Sequence, residues 1–71
     1  GTLFIADYGN DRVVAWRKDA KSGEIVAGGK GRGNRTEQLS RPSIVIIDQA
    51  TNSLIVSETG NRRVMRWPMQ N

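Results

Sequence analysis

The chain has 71 residues, so it can form at most one small domain, and a core of this size is marginal without a disulfide, a metal or a partner surface. It contains neither Cys nor His, which excludes disulfides, thiolate metal sites and histidine-based catalysis within these residues. Eleven Lys and Arg against seven Asp and Glu give a net charge of +4, which favours polyanions weakly.

Six segments rich in β-branched and aromatic residues are bounded by Gly, Asn, Asp, Ser or Pro, and each predicts a short strand. In chain order they are residues 3–7, 12–16, 24–28, 43–48, 53–58 and 63–67. No window has a helical repeat of useful length, and TEQL (36–39) can form one turn at most. The sequence therefore predicts an all-β fold.

The connections between these strands are of two kinds. YGND (8–11) and TGNR (59–62) each hold a Gly-Asn pair, which tolerates the positive φ angles of tight reversals, so both predict antiparallel hairpins. RKDAKSG (17–23) and QATN (49–52) are polar turns of the same sort. GGKGRGNRTEQLSRP (28–42) is long, glycine-rich and basic, and we predict that it crosses between two separate pieces of sheet.

The two halves of the chain repeat each other. A shift of 51 positions places Leu3 on Leu54 and aligns DYGNDRVVAW (7–16) with ETGNRRVMRW (58–67). Repeats near this period with four strands each are typical of propeller blades. The repeat predicts strands two to four of one blade in residues 1–28, an inter-blade crossing in 29–42, and strands one to three of the next blade in 43–71.

Several strands are apolar on both faces, which a sheet with one wet face would not be. LFIA (3–6), VVAW (13–16) and IVIID (44–48) show this pattern. Both faces are therefore expected to be covered, as they are in stacked propeller blades. The alternative is a two-layer sandwich, whose outer faces should be wetter.

Each repeated hairpin begins with an acid and ends with an arginine. The short turn places Asp7 opposite Arg12 and Glu58 opposite Arg63, and opposite charges support such pairing. We predict side-chain contact within each pair, with the carboxylate also accepting N–H groups of its own tight turn. An active site needs its residues once, so this repetition indicates architecture rather than catalysis.

The predicted structural residues comprise these charges, the glycines and asparagines of the turns, and a closing tryptophan in each unit. Trp16 and Trp67 end the third strand of their units, where a large flat ring can cover the gap between blades. The turn and charge residues are Asp7, Gly9, Asn10, Arg12, Glu58, Gly60, Asn61 and Arg63.

The same residues resemble NHL-repeat β-propellers. The family pattern is loosely Pro-x-Gly-Val-x-Val-Asp, a short turn, then Leu-Tyr-Val-Ala-Asp-x-x-Asn-x-Arg-Val. It is similar to 42–48 followed by 54–64, and its second half is similar to 3–13. Ile44 stands where the family usually has Gly, and Glu58 where Asp is commoner. The resemblance implies a fragment, about one and a half blades, of a propeller with four-stranded antiparallel blades, and the remaining blades would lie in the same longer chain or in an oligomer.

Such propellers mostly bind proteins, and some bind single-stranded RNA. Our leading prediction is a non-catalytic interaction module that presents loops to a protein or another macromolecule, without a cofactor or metal, since no catalytic constellation is present in the sequence. The second hypothesis is RNA binding through Lys30, Arg32, Arg35 and Arg41. Against it, no aromatic residues are interleaved with these charges, and a mobile solvated loop is the simpler explanation of them.

The third hypothesis is an enzyme. A few relatives with the six-bladed shape are lyases or hydrolases that use a metal in the central channel. For this chain the ligands would have to lie outside the segment, because fold alone does not choose among these functions.

Asn34-Arg35-Thr36 is an N-glycosylation sequon in a loop that should be exposed. Glycosylation of Asn34 would indicate an extracellular protein. No other feature assigns a compartment, and no apolar run approaches the roughly 18 residues that cross a bilayer. The first residue is not Met, and we expect the sequence to be an excerpt of a longer chain or a processed piece.

Overall fold

The computed structural model describes residues 1–69, which form two antiparallel sheets and no α-helix. The first sheet has the order β1-β2-β3 and the second has the order β4-β5-β6. The strands are β1 (Thr2–Asp7), β2 (Arg12–Arg17), β3 (Glu24–Gly28), β4 (Pro42–Asp48), β5 (Ser53–Glu58) and β6 (Arg63–Pro68). The all-β prediction is confirmed. The last two positions of the predicted piece 43–71, Gln70 and Asn71, lie outside the described residues.

The two hairpin turns have a different backbone conformation from the one that their Gly-Asn pairs predicted. Each is a single 3₁₀ turn, over Tyr8–Asn10 and over Thr59–Asn61, followed by one left-handed residue. That residue is Asp11 with φ 55° or Arg62 with φ 50°. The prediction that Gly-Asn supplies the positive φ was wrong, because the 3₁₀ turn takes right-handed angles and the reversal is completed one residue later.

The register of both hairpins places the repeated charges opposite each other. Asp7 pairs with Arg12 across β1 and β2, and Glu58 pairs with Arg63 across β5 and β6. This follows from the shared turn geometry, since turn type and length fix the register of a hairpin.

The two sheets pack through one face of each, with β1 lying against β4. Five apolar side chains form the buried core, and Phe4, Val45 and Trp67 pack against them while partly exposed. Burial of each large core side chain stabilises the fold by about 1.5–3 kcal/mol. The core residues are Val13 and Ala27 of the first sheet, Leu54 and Val56 of the second, and Leu39 of the connection between them.

The crossing between the sheets, residues 29–41, is anchored by Leu39, which is fully buried. It leaves β3 at Gly28, whose φ is +69°. A Cβ at Gly28 would stand 2.6 Å from the carbonyl oxygen of Asp11 and 2.9 Å from Leu39 Cδ1. Glycine is therefore required here both for conformation and for space.

Candidate functional site

Glu58 is the centre of a hydrogen-bond network at the end of β5. Its side chain is fully buried, and its Oε2 accepts a hydrogen bond from Arg63 Nε at 2.6 Å. Its Oε1 accepts from Asn61 Nδ2 at 2.8 Å and from the backbone N–H of Ser40 at 2.9 Å. Three donors, one of them cationic, compensate for the removal of this carboxylate from water. The predicted contact between Glu58 and Arg63 is present.

Arg63 and Asn61 also hold the backbone of the crossing. Asn61 Nδ2 donates to the Gly33 carbonyl at 2.8 Å, and Arg63 Nη1 donates to the Asn34 carbonyl at 2.8 Å. Arg63 Nη2 reaches two further carbonyls of the crossing, those of Arg35 and Gln38, at 3.2 and 3.1 Å. Because every one of these acceptors is a main-chain oxygen, Asn61 and Arg63 fix the backbone path of the crossing without contacting its side chains through these bonds.

The first copy of the hairpin has the same internal bonds, but among residues 1–69 its acid, Asp7, makes no hydrogen bond to the crossing. Asp7 accepts hydrogen bonds from Asn10 Nδ2 at 3.0 Å and from Arg12 Nε at 2.9 Å, so the predicted ion pair is present here too. The hydrogen bond from Asn10, and then that from Arg12, lower the pKa of Asp7 below its ordinary value. Asp7 is 27% exposed, whereas the equivalent Glu58 is buried beneath Ser40.

The prediction that each acid accepts N–H groups of its own turn was wrong. Within residues 1–69 neither 3₁₀ turn receives a side-chain cap from its acid. The carboxylates instead accept from the side-chain amide and the arginine of the turn, and Glu58 takes its backbone donor from Ser40. In the second turn the Thr59 and Gly60 N–H groups donate instead to the carbonyl oxygens of Arg41 and Ser40, at 3.0 and 3.1 Å.

Asp11 is a further contact point for the crossing that the repeat did not reveal. It is 8% exposed, and its Oδ1 accepts the backbone N–H of Arg41 at 2.9 Å. Its carboxylate also pairs with Arg32 Nε at 3.2 Å. The aligned residue in the second unit is Arg62, so a search for repeated residues passes over this position. No local sequence signal could have found it, because its partners in the crossing, Arg32 and Arg41, lie 21 and 30 positions away.

The two tryptophans have different surroundings. Trp67 is partly buried and packs against the core between the two sheets. Trp16 pairs with Leu3 on the opposite face of the first sheet and is 41% exposed. Its Nε1 donates to the Ala20 carbonyl at 3.1 Å, so it covers the β2–β3 turn and not the space between the two described sheets.

Positive charge is concentrated at one end of the molecule. We call residues 7–12, 29–41 and 58–63 the loop end, because the two 3₁₀ turns and the crossing meet there through the contacts above. It holds seven of the eleven Lys and Arg and four of the seven Asp and Glu, which is +3 of the net charge of +4. The loop end is therefore the part of the chain that most attracts anions.

Of the four basic side chains predicted to contact a polyanion, one is already in an ion pair. Arg32 is paired with Asp11, while the side chains of Lys30, Arg35 and Arg41 are exposed and make no ion pair among the described residues. Arg62, which was not predicted, is a further exposed cation of this kind at the same end. The glycosylation candidate Asn34 also lies here, exposed on the crossing.

The opposite end has an open cleft of about 580 Å³ between the sheets. Phe4, Trp67 and Met69 give it an apolar lining, and Arg17 and Glu24 stand on the first sheet beside it. Among residues 1–69, no group of three or more His, Cys, Asp or Glu side chains could hold a metal ion. No described helix is long and apolar enough to cross a membrane.

No family model, no curated protein and no solved structure matches this chain. Membership of the NHL-repeat family stays a prediction, supported by the internal repeat and its motif residues.

Proposed function

We propose that this chain is part of an NHL-type β-propeller, about one and a half four-stranded blades, that acts as a non-catalytic interaction module. Three features support the architecture. Two antiparallel sheets stack face to face on apolar side chains, the same hairpin occurs in each, and the crossing joins the last strand of one sheet to the first of the next.

The partner that best fits the loop end is an acidic segment of a protein. The observation that carries this proposal is the imbalance of free charge: three acids there, Asp7, Asp11 and Glu58, are paired with arginines. Glu37 is the remaining acid of this end. The unpaired, exposed cations outnumber it and are Lys30, Arg35, Arg41 and Arg62.

Single-stranded RNA is the second candidate partner, and one observation favours it. Tyr8 lies in the first 3₁₀ turn, at the loop end, and is 50% exposed. An exposed aromatic ring beside cations can stack on a base while the cations contact phosphates. The sequence has no aromatic residue interleaved with these charges, whereas Tyr8 lies three residues before Asp11, which pairs with Arg32 of the crossing.

Binding to immobilised acidic peptide and to single-stranded RNA, each measured over a series of salt concentrations, tests the proposal. Lys30→Gln/Arg35→Gln should weaken binding and reduce its dependence on salt, because fewer counterions are released. Lys18→Gln/Lys21→Gln removes the same charge at the opposite end and should leave binding unchanged. Equal losses in the two variants, or no binding to either probe at low salt, would contradict the proposed function.

The choice of probe separates the two partners. Retention on the peptide alone supports the protein-binding proposal, and retention on RNA that is lost in Tyr8→Ala supports the alternative. An enzymatic role of the lyase or hydrolase kind would require metal ligands from outside these residues, and no observation on the described part of the chain favours it.

A further inference from the structure

Each sheet leaves one apolar face uncovered. On the first sheet this face, which we call outer face 1, consists of Leu3, Ile5, Trp16 and Ile25, which are 64%, 39%, 41% and 50% exposed. On the second sheet, outer face 2 consists of Ile44, Ile46 and Val64, which are 60%, 58% and 67% exposed. Exposed apolar side chains grouped on one face mark an interaction site more often than apolar side chains scattered singly over a surface.

The internal repeat shows what outer face 1 is shaped to contact. Its residues Leu3 and Ile5 align with Leu54 and Val56, which are both fully buried. Trp16 aligns in the same way with the partly buried Trp67. These second-unit residues form the face with which the second sheet packs on the first. The residues of outer face 1 therefore match those of the second sheet's packed face, which is buried against the first sheet.

Outer face 2 corresponds to the other side of the same contact. Val64 aligns with Val13, which is fully buried between the sheets, and Ile55 aligns with Phe4, which packs beside it. Outer face 2 thus resembles the packed face of the first sheet, and outer face 1 resembles the packed face of the second sheet. The two uncovered faces therefore match the two faces that already pack on each other within the chain.

We propose that a second copy of the chain docks head to tail, with outer face 2 of one copy on outer face 1 of the next. The contact would repeat the one already made within the chain. Such an interface is heterologous, so it leaves one face of each type free at the two ends of a dimer and continues until a ring closes or a filament grows.

The arginine on the side of outer face 2 already has its partners. Arg66 stands in the strand position that Ala15 has in the first sheet, and a free cation there would oppose burial. Its Nη1 is held by Asp48 Oδ2 at 2.8 Å and by Thr51 Oγ1 at 2.7 Å. The guanidinium is thereby neutralised at the turn end of the face, while Val64, Ile44 and Ile46 supply its apolar part.

A mixing experiment tests both the association and its direction. Sedimentation velocity of the full 71-residue chain should show a weight-average mass that at least doubles from 7.9 kDa as concentration rises. Leu3→Glu blocks outer face 1 and Val64→Glu blocks outer face 2, so each variant alone should stay monomeric. Mixed in equal amounts they should form a heterodimer and nothing larger, because each retains the face that the other lacks.

Controls separate loss of association from loss of folding. Circular dichroism must show the wild-type spectrum for each variant, and Ile25→Glu with Ile46→Glu provides a second pair, one on each face. Lys21→Glu, an exposed substitution outside both faces, should assemble like the wild type. A wild-type chain that is monomeric at its highest soluble concentration, a single variant that still self-associates, or a folded mixture that stays monomeric would each overturn the proposal.

Discussion

Gly60 lies directly against Ser40. A Cβ built on Gly60 would stand 2.8 Å from the Ser40 Cβ and 2.9 Å from the Ser40 carbonyl oxygen. The Gly60 N–H donates to that same oxygen at 3.1 Å. Gly9, the aligned residue of the first unit, has nothing within 4 Å of such a Cβ. The repeated glycine therefore serves the approach of the crossing in the second unit, and its first copy faces open space.

This contrast predicts different effects for the same substitution. Gly60→Ala should lower the free energy of unfolding by about 1–3 kcal/mol, because the added methyl group must displace the main chain at Ser40. Gly9→Ala should change it by less than about 1 kcal/mol, since it adds no contact. Urea unfolding followed by tryptophan fluorescence measures both, and equal losses would show that the crossing does not rest on Gly60.

The sequence predicts an interaction of this fold when the residues that form it are close together in the chain. The strands and the pairing of Asp7 with Arg12 and of Glu58 with Arg63 follow from a short turn and its flanking residues. The contacts of Ser40 with Glu58 and of Arg41 with Asp11 join residues 18 and 30 positions apart. They depend on where the crossing folds back, and no local pattern encodes that path.

Removal of the buried charge at Glu58 should release the crossing. Glu58→Gln leaves Arg63 without its counter-ion and replaces one acceptor oxygen by an NH2 group, a donor that faces other donors. We therefore expect a loss of about 2–4 kcal/mol in the free energy of unfolding. Limited trypsin digestion should then cleave faster after Arg32 and Arg35, which lie in the crossing. The matched Asp7→Asn variant should lose less stability and keep the wild-type cleavage rate, because Asp7 makes no hydrogen bond to the crossing among residues 1–69. Unchanged cleavage in Glu58→Gln would contradict the role assigned to its carboxylate.

Leu39 is expected to be the main apolar anchor of the crossing. It is fully buried among Val13, Ala27, Leu54 and Val56, so Leu39→Ala should reduce the free energy of unfolding by about 2–5 kcal/mol through lost burial and the cavity left behind. Glu37→Ala, two residues earlier on the exposed side of the same segment, is the control and should have little effect. Chemical denaturation at low protein concentration measures the two variants without a contribution from self-association.

Low pH should destabilise the β4–β5 turn through protonation of Asp48, and the substitution Asp48→Asn should abolish this pH dependence. The hydrogen bond from Arg66, and then that from Thr51, lower the pKa of Asp48 below its ordinary value of 3.8. The unfolded chain therefore takes up this proton at a higher pH than the folded chain. The stabilisation is complete well above pH 3.8 and is lost as the pH falls through the lower folded-state pKa.

Asp48→Asn should flatten this acid limb of a plot of unfolding free energy against pH. Asp19→Asn, which changes an exposed acid without an ion pair among residues 1–69, should leave the limb unchanged. Because Arg66 is half exposed, added salt should also reduce the difference between wild type and Asp48→Asn at neutral pH. An acid limb of identical slope in both proteins would show that Asp48 does not contribute to it.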